Sequence, residues 1–181
     1  MPTRLPRSGP PMVIETERTI LRPFTEADAE DLFAYAQEPR VGPAAGWKPH
    51  GSIEDSREAI RTRLSFPEMF AVVYRETGHV VGSAGFINRN GVVSDELGFA
   101  LHPAYWGRGL MPEVVGALLR HGFEDLEMEA VWCVHYTENM QCRRVREKCG
   151  FALVFQETLH KSQKTDFCIL LRQDWEARQG G

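Results

Sequence analysis

The stretch ELGFALHPAYWGRGLMPEVVGALLRHGFEDL, residues 96–126, decides the fold of this chain. It predicts a strand, then a loop that contains Gly107 and Gly109, then a helix that begins near Pro112, since proline suits the first helical position. Glycines let backbone amides approach a ligand, and the first helical turn offers unpaired N–H groups and a partial positive charge. The pattern is typical either of a tight strand-to-helix turn or of a pyrophosphate site, to which Arg108 would add a full charge.

Outward from this stretch, the remaining chain alternates between the two hydrophobic periodicities of strands and helices. Strands are predicted over residues 19–24, 69–74, 79–87, 92–101, 130–136, 151–157 and 165–172. Helices are predicted over about residues 25–38, 52–64, 112–126 and 139–149. Asn90-Gly91 is a strong hairpin turn, whereas the centre of the chain predicts a βαβ crossover. The order β α α β β β α β α β β therefore predicts an α+β sandwich built on one mixed sheet.

Length and composition place the chain among ordinary globular proteins. It has 181 residues, 43% of them hydrophobic and 25% charged, which excludes a disordered chain, a collagen and a coiled-coil rod. We expect one domain over residues 13–175, between a proline-rich flexible lead-in, 1–12, and a flexible tail, 176–181. No apolar run is long enough to span a membrane, and the first residues lack the apolar core of a secretion signal, so we expect a cytoplasmic protein without a membrane partner.

Charge and ligand residues exclude further classes of protein. The net charge of −4 argues against a nucleic-acid partner and slightly favours a cationic substrate by long-range attraction. Four cysteines fit neither a dense disulfide framework nor a zinc pattern, and the six histidines are scattered without ligand spacing. We therefore expect free thiols and no metal.

Three motifs stand in order along the chain. They are ERTILRPF at 17–24 with Asp28, ELGF at 96–99 with YWGRGLM at 105–111 and Glu113, and Asn139 with Arg144, Glu147, Lys148, Gly150 and Phe151. Over about residues 15–175 they resemble the GNAT N-acetyltransferases, in the branch of the ribosomal-protein N-terminal acetyltransferases (RimJ/RimL-like). The resemblance implies a GNAT fold: a mixed, mostly antiparallel twisted sheet flanked by about four helices, in which a splayed central strand pair forms the acetyl-CoA cleft.

The resemblance also implies an activity, with acetyl-CoA as cosubstrate. It is the transfer of an acetyl group to a primary amine, on a protein N-terminus or a small molecule, by direct attack in a ternary complex. The alternatives are acetylation of an antibiotic or a polyamine, and a non-catalytic CoA-binding module. The amine acceptor is the expected partner, and the protein is expected to be a monomer or a homodimer.

The cofactor-binding residues follow from the same resemblance. Backbone groups of Phe99, Ala100 and Leu101 would run beside the pantetheine arm. The pyrophosphate would be held by backbone amides of the loop, namely Trp106, Gly107, Arg108, Gly109, Leu110 and Met111. Asn139 would hydrogen-bond the pantetheine, cap a helix, or do both. Arg144 could lie near the nucleotide, but for Arg143, Arg144 and Arg146 the sequence favours a solvated helix face.

Three residues are candidates for the proton transfers. Glu96 is the candidate base, acting directly or through a water, because strand alternation places it on one face with Gly98 and small side chains leave room for a substrate. A salt-bridged strand glutamate is the alternative. Cys142 stands where the branch usually has serine, and the resemblance implies that it protonates the leaving thiolate; simple packing is its alternative, and Tyr136 is the rival acid.

The Gly- and Pro-rich segment 40–51 lies between the first two predicted helices. In similar proteins this segment walls the acceptor pocket, so the resemblance implies that Trp47 and His50 bind substrate. A surface loop with an aromatic plug is the alternative.

Overall fold

The computed structural model describes residues 11–87, 95–159 and 163–181. These residues form one eight-stranded sheet, in the order β1-β2-β3-β4-β5-β6-β8-β7. The strands are β1 (Ile14–Glu15), β2 (Thr19–Arg22), β3 (Met69–Tyr74), β4 (Val80–Ile87), β5 (Glu96–Leu101), β6 (Ala130–Tyr136), β7 (Ala152–Leu159) and β8 (Gln163–Leu171). Among these strands β5 and β6 pair in parallel and the other neighbours pair antiparallel, so the predicted mixed, mostly antiparallel sheet is confirmed.

Five α-helices flank the sheet in the described part of the chain. They are α1 (Ala29–Ala36), α2 (Ile53–Arg63), α3 (Leu110–Arg120), α4 (Met140–Cys149) and α5 (Arg172–Gln179). A π-helical turn, His121–Asp125, extends α3. Sequence signals locate two ends correctly: the Ser52 side chain caps α2, and Gly150 follows α4 with a φ of 91°.

Helix α5 is where the structure departs from the predicted count of about four helices. The sequence predicts a loose tail from residue 176, whereas the helix continues to Gln179. Its anchor is Trp175, which is 8% exposed and lies with its ring centroid 5.2 Å from that of Phe123. Arg178 also donates a hydrogen bond to the carbonyl oxygen of Lys148 at 3.2 Å. Arg172 donates to the carbonyl oxygen of Phe123 at 2.7 Å and to the carboxylate of Glu129 at 3.2 Å. One large aromatic and two arginine side chains therefore hold a segment whose composition is mostly polar.

Side chains of the sheet alternate between two cores, one on each face. In β3, Phe70 and Val72 pack with α3 and α5, whereas Ala71 and Val73 pack with α1 and α2. Trp106, from the loop before α3, contacts both cores. The sheet is therefore covered on both sides, which is the predicted α+β sandwich, and Trp106 lies where the two layers meet.

Some predicted features fall outside the described residues: the Asn90-Gly91 turn, the first residues of the strand predicted over 92–101, and residues 1–10 of the lead-in. Strand β1 is an addition to the predicted order, and it pairs with β2 over two residues. No described helix has the length and apolarity needed to cross a membrane.

Candidate functional site

The central strands β5 and β6 pair over only two residue pairs and then diverge. Their ladder consists of Glu96 opposite Trp132 and Leu97 opposite Cys133. Beyond this point β5 keeps its pairing with β4 as far as Leu101, and β6 keeps its pairing with β8 throughout. The two strands therefore splay as the resemblance implied, which turns backbone groups of β5 away from the ladder and toward open space.

A cleft of about 780 Å³ occupies the splay. It is bounded by β5, by the end of β6, by the first turns of α3 and α4, and by the segment 40–49. The predicted site residues that line it are Trp47, Glu96, Phe99, Ala100, Leu101, Trp106, Gly107, Gly109, Leu110, Met111, Tyr136, Asn139, Cys142 and Arg144. Residues from four separate parts of the sequence are thus brought to one cavity.

The loop before α3 takes the shape that its glycines permit. Gly107 and Gly109 have φ values of 74° and 75°, in the left-handed region that other residues rarely adopt, and Gly109 caps α3. The helix begins at Leu110, two residues before the predicted start at Pro112. Trp106 anchors the other side of the loop, because its indole N–H donates to the carbonyl oxygen of Leu101 at 2.9 Å.

Glu113, in the first turn of α3, ties this loop to the start of the sheet. Its carboxylate accepts hydrogen bonds from the Arg18 Nε at 2.8 Å and from the Thr16 hydroxyl at 2.6 Å. The Arg18 guanidinium also donates to the carbonyl oxygen of Arg108 at 2.9 Å. Burial raises the pKa of Glu113, but the Thr16 and Arg18 hydrogen bonds outweigh it and lower that pKa overall.

The cleft fits a ligand that carries phosphates. The first turn of α3 offers amides beside Gly107 and Gly109. Four cationic side chains of the described residues line the same cavity, namely Arg40, Lys48, Arg144 and Lys148. The Arg108 side chain does not line it; its guanidinium instead lies 5.2 Å from the centroid of the Tyr105 ring. Arg108 thus contributes to the loop through its backbone in this conformation.

Glu96 lies at the closed end of the splay. It is 4% exposed, it lines the cleft, and it is the one carboxylate among the described lining residues. Its neighbours on β5, Gly98 and Ala100, add little bulk to that wall. The described lining therefore presents a single buried carboxyl group to whatever occupies the cavity.

Asn139 joins α4 to the segment that closes the cleft. Its side-chain oxygen accepts a hydrogen bond from the amide of Cys142 at 3.0 Å, which is the predicted helix cap. Its side-chain nitrogen donates to the carbonyl oxygen of Ala44, also at 3.0 Å. The predicted cap is confirmed, and the second contact is one that the sequence did not indicate.

The two candidate acids face the cleft from different elements. Cys142 projects from the first turn of α4, and its sulfur lies 3.9 Å from that of Cys133. Tyr136 ends β6 beside the segment 40–49, where a Cβ added to Gly46 would lie 3.1 Å from its hydroxyl oxygen. Gly46, with a φ of 85°, therefore makes room for the Tyr136 ring.

Of the two predicted substrate residues, Trp47 and His50, only one faces the cleft. Trp47 lines the cleft, whereas His50 lies outside the lining. The His50 ring contacts the Ser56 hydroxyl of α2 at 2.8 Å, and its backbone amide donates to Ala36 at 2.9 Å. These two contacts hold His50 against the helices, which does not support the predicted substrate role.

The sequence analysis missed a buried polar cluster at the edge of the cleft, which one of its members, His135, lines. Arg146, predicted on a solvated face, is 7% exposed, so that prediction is wrong. Its Nε donates to His135 Nε2 at 3.3 Å, and its Nη2 lies 4.0 Å from the carboxylate of Asp166. The remaining His135 nitrogen, Nδ1, donates to the carbonyl oxygen of Tyr136 at 2.8 Å. Burial lowers the pKa of His135, which favours the neutral ring that this pattern requires.

Two sequence signals could have found this cluster. Alternation along β6 places His135 on the buried face with Val131 and Cys133. Arg146 stands four residues after Cys142, on the side of α4 that faces the sheet. The prediction of a solvated face followed from the charge of Arg146 and did not use its position on the helix.

In the described part of the chain, no group of three or more His, Cys, Asp or Glu side chains could hold a metal ion.

Comparison with known proteins identifies the family to which a chain with this geometry is similar. The model of the acetyltransferase (GNAT) domain matches residues 18–152. The uncharacterized N-acetyltransferase YoaA of Bacillus subtilis (strain 168) is 28% identical over 149 residues, 77% of this chain and 82% of that protein. The uncharacterized N-acetyltransferase p20 of Bacillus licheniformis is 30% identical over 144 residues, 75% of this chain and 80% of that protein.

Solved structures agree on the fold. The GNAT-family acetyltransferase of Bacillus anthracis superposes with a TM-score of 0.77 at 21% sequence identity, over 90% of this chain and 99% of that one. The splayed strands, the glycine loop and the family match over well over half the chain thus agree: the chain belongs to the acetyltransferase (GNAT) family, is an N-acetyltransferase, and shares the family's use of acetyl-CoA.

Proposed function

We propose that this protein acetylates a primary amine by direct attack on acetyl-CoA in a ternary complex, and that the amine is a protein N-terminus or a small molecule without several positive charges. The observation that carries the proposal is the single buried carboxylate, Glu96, at the closed end of a cleft whose other charged lining residues are cationic. That arrangement suits a neutral amine as nucleophile and a phosphate-bearing donor.

Acetyl-CoA supplies the acyl group, as a thioester, when it is bound. The edge of β5 from Phe99 to Leu101 that does not pair with β6 is proposed to hold its pantetheine arm. Amides of the loop, residues 106–111, are proposed to hold the pyrophosphate, with Arg144 and Lys148 available for the remaining phosphate. Asn139 already uses its side chain to cap α4 and to bind Ala44, so its proposed contact with the donor is an additional one.

Glu96 is proposed to accept a proton from the acceptor ammonium, directly or through a water. Amines of proteins and small molecules are mostly protonated at neutral pH, and the protonated form cannot attack a carbonyl carbon. Because the described lining includes no second carboxylate, no other acidic residue there offers itself for this role. The presence of Glu96 also counts against a non-catalytic CoA-binding module.

Cys142 is proposed to donate a proton to the sulfur that leaves, with Tyr136 as the rival donor. Both side chains line the cleft. Cys142 projects from the same first turn of α4 that Asn139 caps, so its position is held by a hydrogen bond at the backbone. The hydroxyl of Tyr136 lies instead beside Gly46, on the side of the segment 40–49.

The charge of the cleft bears on the acceptor. Four cationic side chains line it, namely Arg40, Lys48, Arg144 and Lys148, against one carboxylate, Glu96. The segments 88–94 and 160–162 contain no Asp or Glu either. A polyamine or an aminoglycoside carries several positive charges, which these cationic side chains would repel. The net charge of −4 attracts such a molecule at long range, but the cleft itself disfavours it. This favours a protein N-terminus, as in the RimJ/RimL-like branch that the motifs resemble.

An acceptor screen tests the proposal. Release of free CoA is followed with spermidine, an aminoglycoside and short peptides with free N-termini that differ only in the charge of their second and third residues. We expect the highest kcat/KM for neutral or acidic peptides. A tenfold preference for spermidine or the aminoglycoside would overturn the acceptor class. Acetyl-CoA binding without CoA release for any acceptor would instead indicate a non-catalytic module.

A further inference from the structure

Two of the four cysteines lie in contact beside the cleft. The sulfur of Cys133, on β6, is 3.9 Å from the sulfur of Cys142, on α4. Cys133 is 1% exposed, whereas Cys142 is half-buried and lines the cleft. One thiol is therefore reachable from the cavity and the other lies directly behind it.

The remaining cysteines are placed differently. Cys149 contacts the carbonyl oxygen of Pro112 at 3.9 Å, and burial raises its pKa to about 11. Cys168 lies opposite Cys133 in the β6–β8 register, and burial raises its pKa to about 12. Neither lines the cleft. Because a thiol must be reached and deprotonated before it is oxidised, Cys142 is the one that an oxidant in the cavity meets first.

We propose that Cys142 and Cys133 are a peroxide-sensitive pair that closes into a disulfide and switches the transferase off. Hydrogen peroxide oxidises the Cys142 thiol to a sulfenic acid and leaves one water. The Cys133 thiol then attacks the Cys142 sulfur, the S–O bond breaks, and the hydroxyl leaves with the Cys133 proton as a second water. Two thiols lose two electrons and two protons in total, and one peroxide molecule becomes two waters.

The disulfide changes the site because its bond is much shorter than the present contact. The sulfurs would close from 3.9 Å to about 2.05 Å, which draws the first turn of α4 toward β6. That turn carries the Asn139 cap and its contact to Ala44. The Cys142 sulfur also loses its proton and turns away from the cleft. Loss of turnover rests on the proposed function, whereas formation of the bond does not.

Peptide mapping of the whole protein tests the bond independently of activity. After treatment with hydrogen peroxide and capping of free thiols, trypsin gives one peptide, residues 121–143, that contains both cysteines, while Cys149 and Cys168 fall in separate peptides. We expect peptide 121–143 to lose two hydrogen atoms and to remain uncapped. Cleavage after Glu138 then separates the two cysteines, which should stay joined until a reductant is added.

Activity and protection complete the test. We expect turnover to fall at least tenfold with disulfide formation and to return on reduction, and we expect saturating acetyl-CoA to slow the reaction by covering Cys142. Cys133→Ser should keep its turnover before oxidation, and after peroxide it should lose turnover irreversibly as Cys142 oxidises further. Cys168→Ser is the matched control and should behave as the wild type.

Two results would overturn the proposal. One is a wild-type protein in which Cys133 is joined to Cys168, or in which peptide 121–143 shows no loss of hydrogen while Cys142 becomes sulfinic acid. The other is a fully formed bond between Cys133 and Cys142 with unchanged turnover. If Cys133→Ser fails to fold, the wild-type peptide map and its reversal by reductant still decide between these outcomes.

Discussion

The Glu113 carboxylate in α3 and the Arg18 side chain and backbone near β2 form two hydrogen bonds of 2.8 Å, across 95 residues of sequence. Two of the three motifs meet at this point, because Arg18 belongs to the first and Glu113 to the second. The pair holds the glycine loop from outside the cleft, since Arg18 also binds the carbonyl oxygen of Arg108. This contact therefore ties the first motif to the second through the packing of the loop.

Removal of this carboxylate should loosen the loop. We expect Glu113→Ala to lower the free energy of unfolding by about 1–3 kcal/mol, measured by urea denaturation, because three donors lose a shared acceptor. It should also raise the KM for acetyl-CoA. Glu147→Ala, which removes the ion pairs of the exposed Glu147 carboxylate with Arg143 and Arg146, is the control and should cost less than Glu113→Ala. Equal losses would mean that Glu113 is an ordinary surface charge.

Acetyl-CoA should stabilise the folded protein. At a concentration of about 100 times the Kd, binding contributes about 2.7 kcal/mol. For a domain of this size we expect Tm to rise by about 5–10 °C in a thermal melt. Acetyl-pantetheine, which lacks the phosphates, is the control and should shift Tm less. No shift at millimolar acetyl-CoA would contradict the assignment of the cleft.

Glu96→Gln should separate chemistry from binding. The amide keeps the size of the side chain but cannot accept the acceptor's proton, so we expect turnover to fall by about 10²–10⁴-fold at neutral pH. The Tm shift with acetyl-CoA should stay within about 2 °C of the wild type. Glu157→Gln, on the exposed strand β7, is the control and should leave turnover unchanged. Wild-type turnover in Glu96→Gln would remove Glu96 from the mechanism.

Three variants distinguish the two candidate acids. If Cys142 protonates the leaving sulfur, Cys142→Ser should remain active and Cys142→Ala should slow turnover by about 10–100-fold, while Tyr136→Phe changes little. If Tyr136 is the donor, the ranking reverses. Equal rates for Cys, Ser and Ala at position 142 would leave packing as its role. Steady-state rates at saturating acetyl-CoA are the measurement.

The pair of carboxylates around His121 predicts a pH dependence of stability. His121 is 3% exposed, with Asp125 at 2.7 Å on Nδ1 and Glu68 at 2.9 Å on Nε2. Burial lowers its pKa, but the hydrogen bonds to Glu68 and Asp125 outweigh this and raise that pKa above 6.5 overall. A raised pKa means that the folded state binds the proton more tightly, so the added stability is fully present below about pH 6.5. It is lost as the pH rises through the folded-state pKa.

Comparison of His121→Gln with the wild type isolates this effect. Urea denaturation should show a larger loss of unfolding free energy at pH 6 than at pH 9. His79→Gln changes an exposed histidine beside Asp31 and is the control, which should cost less than His121→Gln at pH 6. A loss that is the same at both pH values would mean that His121 contributes through packing alone.

Strong local signals explain how much of the fold the sequence predicted. Strands β3 and β6 match their predicted bounds, 69–74 and 130–136, because each is a short apolar run between polar turns. The wall of the cleft was found because β5 and the glycine loop are contiguous in sequence. The parts of the cleft that come from elsewhere in the sequence were harder to predict. Trp47 was named from a resemblance, and Lys48 was not named at all.

What the sequence did not predict depends on contacts between distant elements. Helix α5 is held by Trp175 in a mostly polar segment, so no periodic apolar stripe marks it. Arg146 is buried because His135 on β6 and Asp166 on β8 provide polar partners for its guanidinium. A single sequence does not reveal contacts between such distant residues. His50 was assigned to the cleft by the same resemblance as Trp47, whereas its ring contacts the hydroxyl of Ser56 on the following helix.

The side chain of Asn139 bridges the two walls of the cavity, because it holds the first turn of α4 with one atom and the Ala44 carbonyl with another. A molecule that displaces the segment around Ala44 is therefore expected to alter the start of α4 as well, beside the proposed donor site. We expect this bridge to couple the two substrates thermodynamically. The factor by which acetyl-CoA changes acceptor affinity would then equal the factor by which the acceptor changes acetyl-CoA affinity. Random addition with a measurable cooperativity factor, abolished in Asn139→Ala, is the kinetic signature of that bridge.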